Sequence, residues 1–268
     1  MRLWRQSSES LEQSQAGQEL LQSLHVVRES LTVEIVDVKP EPSVSYLLWN
    51  DSGLSFVDEN SGAKPLTLHL DFINDKQNYS RFSHRGKNEL IAKAIGMSKG
   101  YRHVIDLTLG LAQDAWFLTE LGAQVVGFER SPLVYLLVSD AQRRARTINS
   151  TKKHFLFSAY ANSLQLLQKQ VEKPQTLTDF LGQYLSNSIN DKVNDLNNVK
   201  ENNLDLWGSV DWASTVLYLD PMFPEKNKTA LPRKEMQIFR GWVGADADSL
   251  ELLKLAMQLP VDRIVVKR

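Results

Sequence analysis

Residues Arg102 to Arg130, RHVIDLTLGLAQDAWFLTELGAQVVGFER, decide the fold. Arg102 to Leu107 reads as an apolar strand, Asp114 to Leu121 as the helix that follows it, and Gln124 to Phe128 as a second buried strand. Between the first strand and the helix lies Asp106-Leu107-Thr108-Leu109-Gly110-Leu111-Ala112-Gln113-Asp114, a loop of small residues at a helix amino terminus. Backbone groups there can approach a ligand closely. Glu129 closes the second strand about twenty residues further on, where an acid can accept hydrogen bonds from two ribose hydroxyls. This order predicts a parallel α/β sheet with a nucleotide-type ligand at its carboxyl edge. Nicotinamide enzymes share the loop and the acid, so the stretch alone leaves the cofactor open.

The same rhythm continues outward. Ser131-Pro132 supplies a capping hydroxyl and a proline at the first helical position, starting a helix that runs to about Arg146. Phe155 to Phe157, Val216 to Leu219 and Arg263 to Val266 read as further strands, the last after a helix over Asp248 to Gln258. Upstream, Asn88 to Gly96 reads as a short helix ending in glycine. Residues 31 to 72 have a different character. Leu31 to Val36, Tyr46 to Trp49, Leu54 to Val57 and Leu66 to Phe72 form a small β region, with turns at Asn50-Asp51-Ser52-Gly53 and Glu59-Asn60-Ser61-Gly62. We therefore expect a small N-terminal α+β domain over residues 1–85 and a Rossmann-like α/β domain over 86–268. A polar insertion at about 171–210 interrupts the second. Its centre, Ser186 to Asn203, has seven Asn and only four aliphatic residues, too few to offset the entropy of ordering the chain.

Composition narrows the class. Hydrophobic residues make up 42% of the 268 and charged residues 24%, ordinary for a soluble protein, and no apolar run approaches the roughly 18 residues of a membrane span. Met1 to Leu24 is rich in Ser, Gln and Glu and lacks the apolar core of a signal peptide, so we expect a cytoplasmic protein. The chain has no Cys, which excludes disulfides and thiolate metal sites. His25, His69, His84, His103 and His154 are scattered, and no metal is expected. The net charge of -1 gives no global attraction to nucleic acid, so RNA affinity would come from local basic patches.

A second stretch, Tyr218-Leu219-Asp220-Pro221-Met222-Phe223-Pro224, supplies chemistry. It ends an apolar strand with an acid, a proline and an aromatic ring, and Asp220 falls at the carboxyl end, where open α/β sheets hold ligands. The exocyclic amine of a nucleobase is a weak nucleophile because its lone pair is delocalised into the ring. The Asp220 carboxylate and the Pro221 carbonyl can accept its two hydrogens while Phe223 stacks on the base. An activated methyl donor suits such a nucleophile, and dehydrogenases do not need this turn, so the company of the two stretches favours S-adenosylmethionine.

With these residues assembled, the chain resembles the bacterial small-subunit ribosomal RNA guanine methyltransferase J family, whose members methylate the 2-amino group of a guanosine in 16S RNA. The resemblance covers about Leu70 to Arg268, the insertion excepted. It rests on RGKNELIAKAIG (Arg85 to Gly96), DLTLGLAQDAW (Asp106 to Trp116), GFERSP (Gly127 to Pro132), ANSL (Ala161 to Leu164), YLDPMFPEKNKTALPRKEMQIF (Tyr218 to Phe239) and VVKR (Val265 to Arg268). It implies a class I S-adenosylmethionine-dependent methyltransferase. The cofactor would lie against the loop from Asp106 through Gly110, with Gln113 and Asp114 at the helix start, then Glu129, Arg130, Asn162, Ser163 and Asp220. Where the family shows Gly-Leu-Gly-Arg-Asp, this chain has Gly110-Leu111-Ala112-Gln113-Asp114. We expect the turn to persist with Ala112 at negative φ. The family also continues past the position of Arg268, so a C-terminally truncated chain is expected.

The partner implied is small-subunit ribosomal RNA, free or in the assembled subunit. Lys226, Lys228, Arg233, Lys234 and Arg240 follow the Asp220 turn closely enough to meet a phosphate backbone. Arg85, with Arg81, His84 and Lys87, makes a second basic edge, whereas Arg143, Arg144 and Arg146 read as an exposed helix end. A methyltransferase acting on adenine or another amine, and a silent RNA-binding protein of the same fold, are the rival readings.

Overall fold

The computed structural model describes residues 1–6, 10–60, 64–74, 89–148, 155–185, 207, 210–221 and 247–267. They divide into two compact units. One draws on Met1–Tyr79 and Ser131–Lys153, the other on Ser80–Arg130, His154–Pro221 and Ala247–Arg268.

The first unit is built on a five-stranded mixed sheet of order β2-β1-β3-β4-β5. Its strands are β1 (Arg2–Arg5), β2 (Glu34–Val36), β3 (Tyr46–Asn50), β4 (Gly53–Asp58) and β5 (Leu66–His69). β1 pairs in parallel with β2 and β3, and β3-β4-β5 is an antiparallel meander. α1 (Gln15–Val27) connects β1 to β2, and Ser14 caps it by accepting from the Gly17 N–H at 3.0 Å. β1 and most of α1 fall in the polar Met1 to Leu24 stretch. Of the four β1 side chains only Leu3 is buried, so alternation leaves no apolar run to read.

The helix after Ser131 belongs to this unit and not to the domain expected over residues 86–268. α4 (Pro132–Ile148) packs on β4 and α1. Its anchor is Asp140, whose side chain is 2% exposed. Asp140 Oδ2 accepts from the Leu54 N–H at 2.8 Å and from Arg144 Nε at 2.8 Å, while Oδ1 accepts from Arg143 Nη2 at 2.8 Å. Arg144 also donates to the Leu70 carbonyl, and the Arg143 guanidinium lies 5.4 Å from the Trp49 ring centroid. Arg143 and Arg144 are therefore clamps between helix and sheet, contrary to their reading as an exposed helix end; Arg146 alone of the three is exposed. The clamp needs Gly53 in the β3-β4 turn. Its φ is +102°, and an added Cβ would come within 2.5 Å of Asp140 Oδ2.

The second unit is a five-stranded parallel sheet of order β10-β9-β6-β7-β8. Its strands are β6 (His103–Asp106), β7 (Gln124–Glu129), β8 (Phe155–Tyr160), β9 (Thr215–Leu219) and β10 (Arg263–Val266). α2 (Leu90–Ile95), α3 (Gln113–Glu120), α5 (Ser163–Glu172), α6 (Leu177–Leu185) and α7 (Ser249–Ala256) complete it. All five residues of β9 are buried, as expected where helices cover both faces of a parallel sheet. Ile105, Val126, Phe128, Leu217 and Leu219 pack with Leu167 of α5, Leu181 of α6 and Leu252 of α7.

α6 narrows the expected insertion. The expected insertion includes residues 171–185, but Leu177, Phe180 and Leu181 are at most 3% exposed, and Phe180 meets Trp212 at 5.1 Å between ring centroids. Leu177-Thr178-Asp179-Phe180-Leu181 thus carries an apolar face that the polar average of the region concealed. Ser186 to Asn203 lies outside the described residues. Among the described residues, no helix is long and apolar enough to cross a membrane.

Candidate functional site

The chain order of the parallel sheet reverses at β6, which lies between β7 and β9. Open α/β sheets hold ligands at the carboxyl side of such a reversal. Register brings Asp106 level with Gly127 on one side and Tyr218 on the other, so the loop after β6 leaves the sheet between Glu129 and Asp220. The loop is stitched to both neighbours. The Leu107 N–H donates to the Tyr218 carbonyl at 2.9 Å, and the Leu109 N–H to the Phe128 carbonyl at 3.1 Å. Gly127 makes room for this path, since a Cβ there would come within 2.4 Å of Leu109 Cδ1.

Four acids surround the loop. Asp106 is 2% exposed, and its Oδ1 accepts from the Thr108 N–H at 2.9 Å. Burial pushes its carboxyl up to about 8; the Thr108 bond opposes this, and the charges of Asp114, Asp220 and Glu129 add to it. Glu129 is 5% exposed, and its Oε2 accepts from the Gly110 N–H at 2.8 Å. Asp114 stands in the first turn of α3, where the helix dipole favours a negative charge. Its Oδ2 accepts from the Tyr218 hydroxyl at 2.7 Å and from Lys267 Nζ at 2.7 Å. The Asp220 N–H donates to Thr108 Oγ1 at 2.6 Å, and Asp220 Oδ2 accepts from Lys267 Nζ at 2.7 Å. Burial, followed by the Asp114 carboxylate, holds the Tyr218 phenol far above its ordinary range. Burial alone would lower the Lys267 ammonium, but Asp114 and Asp220 outweigh it and raise it.

Ala112 corrects one expectation. The turn persists, with the Ala112 N–H donating to the Leu109 carbonyl at 2.9 Å, but φ is +58°, in the left-handed region. The methyl group therefore stands where glycine is favoured, not at the negative φ expected of it. Gln113, the first residue of α3, is exposed.

The other sequence-predicted residues divide clearly. Asp106, Gly110, Asp114, Glu129 and Asp220 meet around the loop, with Pro221 buried directly after Asp220. Asn162 and Ser163 lie at the carboxyl end of β8. The Asn162 side chain caps α5 by accepting from the Leu164 and Gln165 N–H groups, and Ser163 Oγ donates to the Leu107 carbonyl at 2.6 Å. Arg130 Nη1 donates to both oxygens of Asp248, at 3.0 and 2.7 Å. Phe223, Arg85, Lys226, Lys228, Arg233 and Lys234 lie outside the described residues. Sequence reasoning missed the roles of Thr108, Tyr218 and Lys267. Lys267 carried a usable signal, a cation immediately after an apolar strand on the edge that faces ligands. Among the described residues, no group of three or more His, Cys, Asp and Glu could hold a metal ion.

S-adenosylmethionine suits these residues. Its ribose diol calls for a fixed carboxylate such as Glu129, and its sulfonium and ammonium charges call for an acidic surround. Residues 32–181 and 177–268 match a family described as "Putative SAM-dependent methyltransferase". A crystal structure of a SAM-dependent methyltransferase from Neisseria gonorrhoeae has a TM-score of 0.60 to this chain at 23% identity, covering all of this chain and 84% of the other. Fold and family together define a Rossmann-like, S-adenosylmethionine-dependent methyltransferase.

More similar sequences narrow the class. Proteins named ribosomal RNA small subunit methyltransferase J are 39% identical over 203 residues in Bdellovibrio bacteriovorus and 34% identical over 244 residues in Saccharophagus degradans. The matches cover 75% and 89% of this chain, and 64% and 79% of those proteins. The chain thus spans just under two thirds of the Bdellovibrio relative. It belongs to the ribosomal RNA small subunit methyltransferase J family.

Proposed function

We propose that the protein transfers a methyl group from S-adenosylmethionine to the exocyclic 2-amino group of a guanosine in small-subunit (16S) ribosomal RNA, in the cytoplasm. The observation that carries this reading is the fixed position of Asp220. Its backbone is tied to the loop through Thr108, and its carboxylate is held by the Lys267 ammonium at the end of the strand beside that loop. An acceptor for the amine therefore stands next to the residues suited to the methyl donor.

S-adenosylmethionine, when bound, supplies an already activated methyl, so the protein's task is largely positioning. Glu129 would hold the ribose diol. The Asp220 carboxylate and the Pro221 carbonyl would accept the two hydrogens of the amine, aligning its nitrogen for in-line attack, and Phe223 would stack on the base. As the N–C bond forms, the amine becomes acidic and passes a proton to Asp220 or water. Arg85, Lys226, Lys228, Arg233 and Lys234 would hold the phosphate backbone, and we propose that the chain up to about residue 85, joined by α4, is a small RNA-holding domain and that the parallel-sheet unit is the catalytic one.

Single-turnover transfer of labelled methyl to undermethylated small-subunit RNA, followed by nucleoside analysis, tests this. The label should appear in 2-methylamino guanosine. Asp220→Ala should lower the rate about 100-fold or more, because a positioned acceptor is lost, while RNA affinity stays nearly intact. Label in adenosine, or wild-type turnover by the variant, would overturn the reading.

A further inference from the structure

The ammonium of Lys267 joins two elements that the proposed reaction uses separately. It lies 2.7 Å from Asp114 Oδ2, in the first turn of α3 beside the cofactor loop, and 2.7 Å from Asp220 Oδ2, at the proposed amine-binding turn. Its own backbone is fixed, because the Lys267 N–H donates to the Leu219 carbonyl at 2.9 Å, one residue before Asp220. The bridge therefore spans β10, β9 and α3 at their ligand-facing ends. Tyr218 buttresses it by donating to the same Asp114 oxygen at 2.7 Å.

From this geometry we infer that Lys267 is a positioning residue for methyl transfer, acting through Asp220. The inference rests on the function proposed above. The ammonium holds Oδ2 and thereby sets the plane in which the Asp220 carboxylate meets the amine. It also sets the charge of that carboxylate. Asp114, Glu129 and Asp220 are close enough together that each raises the neighbouring Asp106 carboxyl, and like charges gathered in this way favour protonation. A cation bonded to both Asp114 and Asp220 keeps these two ionised against that repulsion.

Proton traffic follows. In the transfer, the amine nitrogen forms a bond to the methyl carbon, the carbon–sulfur bond breaks, and its electron pair returns to sulfur. The nitrogen then sheds one proton. An Asp220 held ionised by Lys267 orients the amine well but keeps a proton poorly, so the proton passes on to water and the carboxylate is ready for the next turnover.

Lys267→Met and Lys267→Arg are to be compared with wild type by single-turnover methylation across pH 5 to 9, with separate measurements of RNA affinity, cofactor affinity and thermal melting. In Lys267→Met the maximal rate should fall about tenfold or more, and the acid limb of the pH–rate profile should move to higher pH because Asp220 has lost its cation. RNA affinity should stay within about twofold of wild type, and Lys267→Arg should restore the limb and part of the rate. A wild-type rate and limb in Lys267→Met would overturn the inference. So would an equal loss in both variants that tracks a drop in melting temperature, since that marks a structural role. Should Lys267→Met not fold, the Lys267→Gln limb decides in its place. If wild-type protein itself fails to methylate small-subunit RNA, the proposed function fails instead. Cofactor affinity against pH then decides for the bridge, which predicts a difference between Lys267→Met and wild type at acidic pH and is overturned by coincident curves.

Discussion

Replacing Asp106 by asparagine should change how stability depends on pH more than it changes stability at any one pH. The folded Asp106 carboxyl is pushed up to about 8, chiefly by burial, whereas an unfolded aspartate titrates near 3.9. Between these values the native state holds a proton that the unfolded state has released, so stability falls as pH rises. The contribution is fully present below about pH 4 and is lost as pH climbs through about 8. The slope is about 1.4 kcal/mol per pH unit, or about 5 kcal/mol across the window, a large share of a typical domain stability of about 5–15 kcal/mol. Asparagine has the same shape, keeps an oxygen for the Thr108 N–H and does not titrate. Urea unfolding of both proteins between pH 4 and pH 9 should show Asp106→Asn gaining on wild type through this window and running parallel outside it. The cationic cofactor adds a second signature, because it favours the ionised carboxyl. Calorimetric titration with S-adenosylmethionine near pH 7, in buffers of different ionisation enthalpy, should reveal proton release in wild type that Asp106→Asn lacks. Parallel stability curves across the whole range would refute the argument that Asp106 is buried neutral.

Glu129→Ala should weaken S-adenosylmethionine binding about tenfold to hundredfold, the worth of one charge-assisted hydrogen bond at about 1.5–3 kcal/mol, with an unchanged dissociation constant removing Glu129 from the cofactor site. Calorimetry on Glu129→Gln separates causes, since glutamine can still accept from the Gly110 N–H that Glu129 now engages. Asp140→Ala should destabilise the protein by about 3 kcal/mol or more, because it strands the Leu54 N–H and two part-buried guanidinium groups. A urea midpoint close to wild type would show that the clamp is dispensable. Ala112→Gly should shift stability by no more than about 1 kcal/mol, because relief of a left-handed alanine, about 1–2 kcal/mol, is offset by glycine's chain entropy and the lost buried methyl. Ala112→Val should cost clearly more, and equal thermal melting of the two variants would contradict the positive φ.

The legible parts of the molecule were those where local pattern and tertiary role coincide. The strands β6, β7 and β9 are short apolar runs because helices cover both faces of the sheet, so their burial is written in consecutive residues, while β10, at the sheet edge, was legible from its apolar run although its residues are only half-buried. The placement of Asp106, Glu129 and Asp220 at strand ends was legible for the same reason, each being the first acid to close such a run. β1 was not, because an alternating Arg-Leu-Trp-Arg segment becomes a strand only through its partners β2 and β3. The membership of α4 also lay beyond local pattern. Nothing near Asp140 states that its carboxylate accepts the amide of Leu54, 86 residues earlier, yet that bond and the two arginines draw the helix to the N-terminal sheet. The sign of φ at Ala112 is the sharpest case. Sequence preference argues from the average alanine, for which negative φ costs least, whereas here the neighbouring bonds over-determine the turn. Leu109 is pinned to Phe128, the Gly110 N–H to Glu129, and the Ala112 carbonyl accepts the Trp116 N–H at 2.8 Å to begin α3. A methyl costing about 1–2 kcal/mol cannot undo three such ties at about 1 kcal/mol each, so the backbone keeps the glycine conformation and the side chain bears the strain.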